Sequence, residues 1–327
     1  MESTIRNHII DLEIPGVIVL FQSKNQSFVI THGDININQQ FKIGSLTKTF
    51  MGIIIMQLVE ENKLSLDEMV SNYLNIPNIT IRQVITMRSG LFDYTKDPDF
   101  VRQYDENPNY EFTPQQLLNY GLSHTQNFEP DTDFEYSNTN TIVLGLIIEK
   151  ITKNKIKQEI YNRITKPLNL TNTSFEPVTQ ILQNFMCGLE YQNGKLCDVT
   201  NLNTFWGWAA GAIVSTVEDL NIYCDYLLQY NKQYYPSHKL LPSNLHLYYG
   251  HHLMKLESYY GHNGSLPGYS CYLLCNLDTK IIIVSNIQIN KNGVNPANSI
   301  AELIVTLILQ QEKHQIVHAN LNPDNSL

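Results

Sequence analysis

The segment Phe41-Lys-Ile-Gly-Ser45-Leu-Thr-Lys48-Thr-Phe50 separates two kinds of pattern, and its reading decides the fold. Upstream, Gly16-Val-Ile-Val-Leu-Phe21 and Ser27-Phe-Val-Ile-Thr31 are β-branched and aromatic runs around a polar turn at Lys24-Asn25, which predicts a hairpin. Downstream, Phe50, Met51, Ile54, Ile55, Leu58 and Val59 form a broad apolar surface, which predicts a helix through about Asn62. A helix this apolar belongs at the centre of a fold. Ser45 and Lys48 stand three positions apart at its start, so both side chains share one face. A helix N-terminus offers unpaired N–H groups and a positive dipole end, both of which favour a developing oxyanion. A lysine among apolar neighbours should have a depressed pKa, leaving its amine able to act as base toward the serine hydroxyl. S-x-x-K arises by chance about once in a chain of this composition, so a solvated lysine competes with the catalytic reading until other segments join it.

Working outward, residues 66–182 read as helical segments broken by Pro, Asn and Asp. Thr113-Pro114 marks one helix start and Thr139 to Thr152 forms a long helical run. The C-terminal third returns to strands at about Ser258–Asn263, Tyr269–Cys275 and Lys280–Ile287, followed by a helix at about Ala297–Gln311 and a polar, frayed tail from Asn320 to Leu327. Strands at both ends around a helical middle predict an α/β (α+β) architecture. An antiparallel sheet from both termini is flanked by helices (1–65 and 205–327), with a mostly helical domain (66–204) inserted.

Composition narrows the function. The 327 residues are 43% hydrophobic and 16% charged, which excludes global disorder and a coiled-coil rod. A net charge of -9 argues against nucleic acid as the main partner, since phosphate neutralisation needs a basic face. No apolar run is long enough to cross a bilayer, so no transmembrane segment is expected. The first sixteen residues lack the basic start and apolar stretch of a secretory signal. The expected compartment is therefore the cytoplasm if Met1 is the native start, and the periplasm or exterior if a signal has been removed. Cys187, Cys197, Cys224, Cys271 and Cys275 contain no C-x-x-C pair and are expected to be buried as small apolar residues, with Cys271 and Cys275 on one side of a strand. Nine of the 19 tyrosines fall between Tyr223 and Tyr260, where aromatic packing is the expected role.

Two further triplets carry chemistry. Tyr136-Ser-Asn138 directly precedes the apolar helical run, unlike the matching Tyr73-Leu-Asn75 and Tyr191-Gln-Asn193. There a phenol can project from a fixed turn, and a neighbouring ammonium would ease its deprotonation. The plainer alternative is an N-cap cluster in which Ser137 or Asn138 caps. His262-Asn-Gly264 ends a predicted strand, where Gly264 permits close approach of a ligand and His262 can hydrogen-bond or move a proton.

Together the three triplets, in this order, resemble the serine β-lactamase and penicillin-recognising hydrolases, in particular the class C β-lactamase and D-alanyl-D-alanine carboxypeptidase branch. Framework segments support the likeness: Glu61-Asn-Lys-Leu-Ser-Leu-Asp67, Ile79 to Ile85, Met87-Arg-Ser-Gly-Leu91, Leu144 to Glu149, Ala210 to Thr216, Glu218-Asp-Leu220 and Gly261 to Tyr269. The resemblance covers about Gly16 to Leu309. It implies a β-lactamase/transpeptidase-like fold with the cleft between the two parts, and an acyl-enzyme on Ser45. Lys48 and Tyr136 would share proton abstraction, Asn138 would hold Lys48 and a substrate amide, and His262 would stand where many relatives have Lys, making positive charge there pH-dependent. Backbone N–H groups of Ser45 and Ser265 would form the oxyanion hole. Asn263, Gly264, Ser265, Trp206 and Trp208 are the candidate substrate-binding residues.

The resemblance requires no metal or organic cofactor, and His124 and His251-His252 lack zinc-site spacing. Its partner is a small-molecule or peptide substrate, such as a peptidoglycan stem peptide or a β-lactam. Carboxypeptidase leads; β-lactamase, esterase and D-amino-acid amidase use the same machinery, and a non-catalytic binding scaffold is the alternative of another class. Two departures bear on substrate. No Arg follows Arg163, so Lys239, Lys255, Asn263 or Ser265 would have to receive a terminal carboxylate, and Asn263 replaces a hydroxyl residue common among relatives.

Overall fold

The computed structural model describes residues 1–76, 78–175, 184–230, 238–239 and 245–321, of which 238–239 and 315–321 are described as backbone only. The helices are α1 (Glu2–Asp11), α2 (Thr47–Glu60), α3 (Ile81–Ile85), α4 (Pro98–Glu106), α5 (Pro114–Leu122), α6 (Asn138–Thr152), α7 (Ile156–Ile160), α8 (Val217–Tyr230) and α9 (Pro296–Leu321). The first strands are β1 (Val17–Ser23), β2 (Ser27–His32), β3 (Phe41–Lys42), β4 (Ser174–Phe175), β5 (Leu189–Gln192), β6 (Lys195–Asp198) and β7 (Ile213–Ser215). Then follow β8 (His238–Lys239), β9 (Leu247–Gly250), β10 (Leu253–Leu256), β11 (Tyr259–Leu266), β12 (Tyr269–Cys275) and β13 (Thr279–Ser285).

The predicted hairpin β1–β2 joins the C-terminal strands in one antiparallel sheet of order β2-β1-β13-β12-β11-β10-β9-β8. The termini therefore build the sheet together, as the strand pattern predicts. Alternation along β12 divides the core: Cys271, Leu273 and Cys275 join the cluster containing α2 and α8, while Tyr272 and Leu274 face the cluster of α1 and α9. Helix α2 is the hub, with eleven of its fourteen residues buried, and it packs on α6, α8, β10 and β11. Segment 66–204 holds α3 to α7, but it also carries β4 and the β5–β6 hairpin, and β4 pairs with β7 in a small sheet β3-β7-β4 that links the two parts.

Several elements differ from expectation for identifiable reasons. Helix α1 buries only Ile5 and Ile9, too sparse a stripe to mark a helix. The β9–β10 hairpin turns on His251 and His252, both at positive φ (51° and 58°), a two-residue geometry normally signalled by Asn-Gly. Helix α9 runs past Gln311 because no proline interrupts it before Pro323, and the tail beyond Leu321 lies outside the described residues. All five cysteines are free; Cys224, Cys271 and Cys275 are buried, whereas Cys187 is exposed and Cys197 partly so, beside the small β5–β6 hairpin. Of the tyrosine cluster, Tyr223, Tyr249 and Tyr259 are buried, and Tyr234 and Tyr235 lie outside the described residues.

Ile54 on α2 is fully buried in the central cluster. Ile54→Ala should lower unfolding free energy by about 2–5 kcal/mol, read as a fall in the urea midpoint at constant slope; an unmoved midpoint would mean α2 is not the hub.

Candidate active site

Gly44–Leu46 form a 3-10 turn that leads into α2, so Ser45 sits two residues before the α-helix begins, partly exposed. Gly44 is required there. Its φ is +52°, and a Cβ would stand 2.8 Å from the backbone nitrogen of Ser265. The contact is reciprocal, because a Cβ on Gly264 would lie 1.9 Å from the carbonyl oxygen of Ile43. The nucleophile turn and β11 thus meet backbone to backbone, which brings the peptide groups of Ser45 and Ser265 to one place. Beneath them the Cys271 thiol donates to the Ile43 carbonyl at 3.2 Å.

Lys48 is wholly buried, and its Nζ donates to Ser45 Oγ (2.9 Å), Asn138 Oδ1 (2.8 Å) and the Ala210 carbonyl (2.8 Å). Burial pulls its pKa down to about 7, opposed by the charge of Asp93. Two of the three partners can only accept, so they engage two N–H bonds in either protonation state. The third direction points at a hydroxyl that can accept from an ammonium or donate to an amine lone pair. A neutral Lys48 therefore keeps its lone pair on Ser45 Oγ.

Tyr136 and Asn138 enter from the segment that starts α6. The Lys48 ammonium nitrogen lies 5.0 Å from the Tyr136 ring centre. The Tyr136 hydroxyl is buried without a hydrogen bond of normal geometry. Burial pushes its pKa well up, the nearby Ser45 hydroxyl opposing and Asp93 adding to the rise. The phenol is accordingly held neutral. Asn138 donates from Nδ2 to Asp93 Oδ2 (3.0 Å) and Oδ1 (3.3 Å), while Ser137, the N-cap of α6, makes no capping hydrogen bond.

His262 on β11 is wholly buried and packs on Tyr136, ring centres 6.1 Å apart. Its Nδ1–H donates to the Asn263 carbonyl (2.6 Å), which leaves Nε2 to accept from the Tyr249 hydroxyl (3.4 Å). Burial, then the charge of Lys48, lowers its pKa to about 3, against the Asn263 contact. Positive charge at this position is thus pH-dependent but confined to acidic pH. The nearby His252 is a structural residue, bonded to the Ile85 carbonyl (3.0 Å) and Thr141 Oγ1 (2.9 Å).

The remaining expectations divide. Ser265 and Gly264 lie at the nucleophile turn. Asn263 donates to Asn298 on α9 at 3.1 Å, so its side chain is engaged with the final helix. Trp208 is 4% exposed, and its ring lies so close to α6 that a Cβ on Gly145 would stand 2.6 Å from it. It is core rather than cleft wall, held at a left-handed φ of 35° just before the carbonyl that receives Lys48. Trp206 is half-buried, edge-on to Phe100 and Tyr104. Lys255 lies over the Tyr260 ring at 5.5 Å, and the side chain of Lys239 lies outside the described residues. Sequence reasoning missed Asp93, Tyr249 and the Ala210 carbonyl. A lone Asp two residues after the Met87–Leu91 framework segment was the only available signal. Among the described residues no group of three or more His, Cys, Asp or Glu could hold a metal ion, and no helix is long and apolar enough to cross a membrane.

A sequence profile of the Beta-lactamase family matches residues 1–306. The chain belongs to the beta-lactamase family. Its fold is that of the beta-lactamase and penicillin-binding-protein superfamily. Protein flp of Staphylococcus aureus (strain COL) is 28% identical over 302 residues, covering 86% of this chain and 59% of the relative, so the chain spans about three fifths of that protein. The teichoic acid D-alanine hydrolase of Staphylococcus aureus (strain MRSA252) is 25% identical over 199 residues, covering 59% of this chain and 47% of that one. Among solved structures, a D-stereospecific amidohydrolase from Streptomyces sp. superimposes with a TM-score of 0.77 at 26% identity, covering 88% of this chain and 94% of that chain. The fold expected from the sequence is the fold of this solved structure.

Gly264→Ala would drive a Cβ into the Ile43 carbonyl and part β11 from the nucleophile turn. Labelling of Ser45 by a fluorophosphonate should slow about tenfold or more, with stability reduced by about 1–3 kcal/mol. Wild-type labelling kinetics in this variant would show that the contact is dispensable.

Proposed function

We propose that this family member hydrolyses D-alanyl or related D-aminoacyl amides and esters through an acyl-enzyme on Ser45, a D-alanyl-D-alanine peptide being one such substrate. The observation that carries the reading is the buried Lys48 amine on Ser45 Oγ, with its other two N–H directions committed to Asn138 and Ala210. D-configuration is supported by two similar proteins, one named a teichoic acid D-alanine hydrolase and the other a D-stereospecific amidohydrolase.

The chemistry follows from the protonation states. Neutral Lys48 takes the Ser45 proton as Oγ attacks the carbonyl carbon, and the new oxyanion lies against the N–H groups of Ser45 and Ser265. Collapse breaks the bond to the amine or alcohol, whose departing atom receives a proton passed from Lys48 through the Tyr136 hydroxyl. Water then attacks the ester, gives its proton back along the same route, and releases the acid with Ser45 restored. Tyr136 serves as a neutral relay, and His262 holds β11 and the Tyr136 ring in place.

Acylation should rise with pH and level off above an apparent pKa of about 7, the value of Lys48, because only the unprotonated amine accepts the serine proton. Lys48→Ala and Tyr136→Phe should each slow it by about a thousandfold or more, and His262→Ala by about ten- to a thousandfold. Intact-mass measurement after incubation with D-alanyl amides, D-alanyl esters, D-alanyl-D-alanine peptides, their L-alanyl counterparts and a β-lactam identifies the acyl group and its lifetime. An adduct with D-alanyl compounds, absent in Ser45→Ala, is expected. A lasting adduct with the β-lactam alone would assign the site to penicillin chemistry, and no Ser45-dependent adduct or turnover would leave a binding scaffold.

A further inference from the structure

Asp93 lies outside the three triplets, yet it is the carboxylate nearest their centre in bonding terms. It is 4% exposed, and every contact donates to it: Asn138 Nδ2 at 3.0 and 3.3 Å, and Thr95 through its backbone N–H (3.1 Å) and hydroxyl (3.0 Å). Asn138 is the joint. Its oxygen accepts from Lys48 at 2.8 Å, so its amide can serve the lysine only in one of two flipped orientations. The flipped amide would set NH2 against the Lys48 amine and a carbonyl oxygen against a carboxylate. A buried acceptor-only group on the far side excludes that arrangement.

We propose that Asp93 is a positioning residue for acylation, fixing the Asn138 amide so that its oxygen holds Lys48 on Ser45 and placing a carboxylate behind that amide. This rests on the Ser45 acyl-enzyme reading. The chain Asp93, Asn138, Lys48, Ser45 is continuous, each link a hydrogen bond between buried or partly buried groups. The charged and titratable groups that face Lys48 are Asp93, Tyr136 before α6, His262 on β11 and His252 in the β9–β10 turn. Burial favours the neutral form of the last three, and Asp93 is the group whose charge opposes the burial-driven fall in the lysine pKa. Removing it should let the lysine lose its proton at lower pH.

The test is the pH dependence of Ser45 labelling by a fluorophosphonate, which reads nucleophile activation without requiring the natural substrate. Asp93→Asn is expected to lower the plateau rate about 10- to 100-fold, since the amide loses its fixed orientation. It should also move the acid limb to lower pH by roughly half a unit to one unit, since an attractive charge is gone. Thr95→Val removes one donor from the same carboxylate but keeps the Asn138 contact, so its limb should stay where it is. An unmoved limb in Asp93→Asn, or an equal shift in Thr95→Val, would overturn the proposal and leave the hydrolase intact. Should Asp93→Asn not fold, Asp93→Ser retains an N-cap oxygen for Thr95 and must show the same shift; failure of both to fold would make the carboxylate a structural cap and end the proposal. Wild-type protein that is never labelled at Ser45 would remove both readings together.

Discussion

A buried amine with more acceptors than a neutral nitrogen has protons is the constraint on which this molecule turns. Lys48 Nζ has three oxygen partners within 2.9 Å, and burial brings its pKa to about 7. The three partners come from the 3-10 turn that leads into the helix, from the start of α6 and from the strand-linking segment before β7. No two belong to one local element. Lysine at this point therefore demands that the helical part and the sheet part close on each other, and the desolvation of a lysine head is tolerated only because all three directions are answered.

The sheet meets the same demand from the other side. Strand β11 reaches the nucleophile turn through two glycines, Gly44 and Gly264, where side chains would strike backbone atoms. Peptide groups approach closely only where neither residue carries a Cβ. The Tyr136 and His262 rings then fill the space between β11 and the start of α6, with Tyr249 behind them. Aromatic burial at this seam does electrostatic work as well: it raises the phenol, lowers the imidazole, and leaves both uncharged around an amine poised between its two states.

How far the sequence discloses this depends on whether the signal is local. The S-x-x-K turn, the apolar α2, the β1–β2 hairpin and strands β11 to β13 are local patterns of period 3.6 or 2, and they stand where the residues predict. The three triplets are legible because each is contiguous. Asp93 is not legible in that way, because its meaning lies in a hydrogen bond to a residue 45 positions on. The His251-His252 hairpin escaped because its turn lacks the Asn-Gly or Asp-Gly pair that signals such a loop, and Trp208 misled because a tryptophan beside a glycine-rich segment looks the same from sequence whether it lines a cleft or fills a core. The pH range in which His262 carries charge is not legible for a related reason. Burial fixes it, and burial is a property of the closed seam rather than of the triplet.

The resting site, on the reading proposed here, carries no net charge on any group that touches the reacting bond, a serine hydroxyl, an amine and a phenol, and the imidazole packed behind the phenol is neutral as well. Attack creates two charges at once, an oxyanion at the Ser45 and Ser265 peptides and an ammonium on Lys48. Both appear in a space from which water is largely excluded, where attraction between opposite charges is strong. A permanently charged cation in place of His262 would pull on substrate and transition state alike, and would push Lys48 further toward the amine. A neutral imidazole confines that attraction to the moment of charge separation, so more of the available electrostatic stabilisation falls on the barrier and less on binding. The distant carboxylate Asp93 balances the arrangement: without it the amine would be a weaker base, and with a closer one it would stay protonated and could accept nothing from the serine.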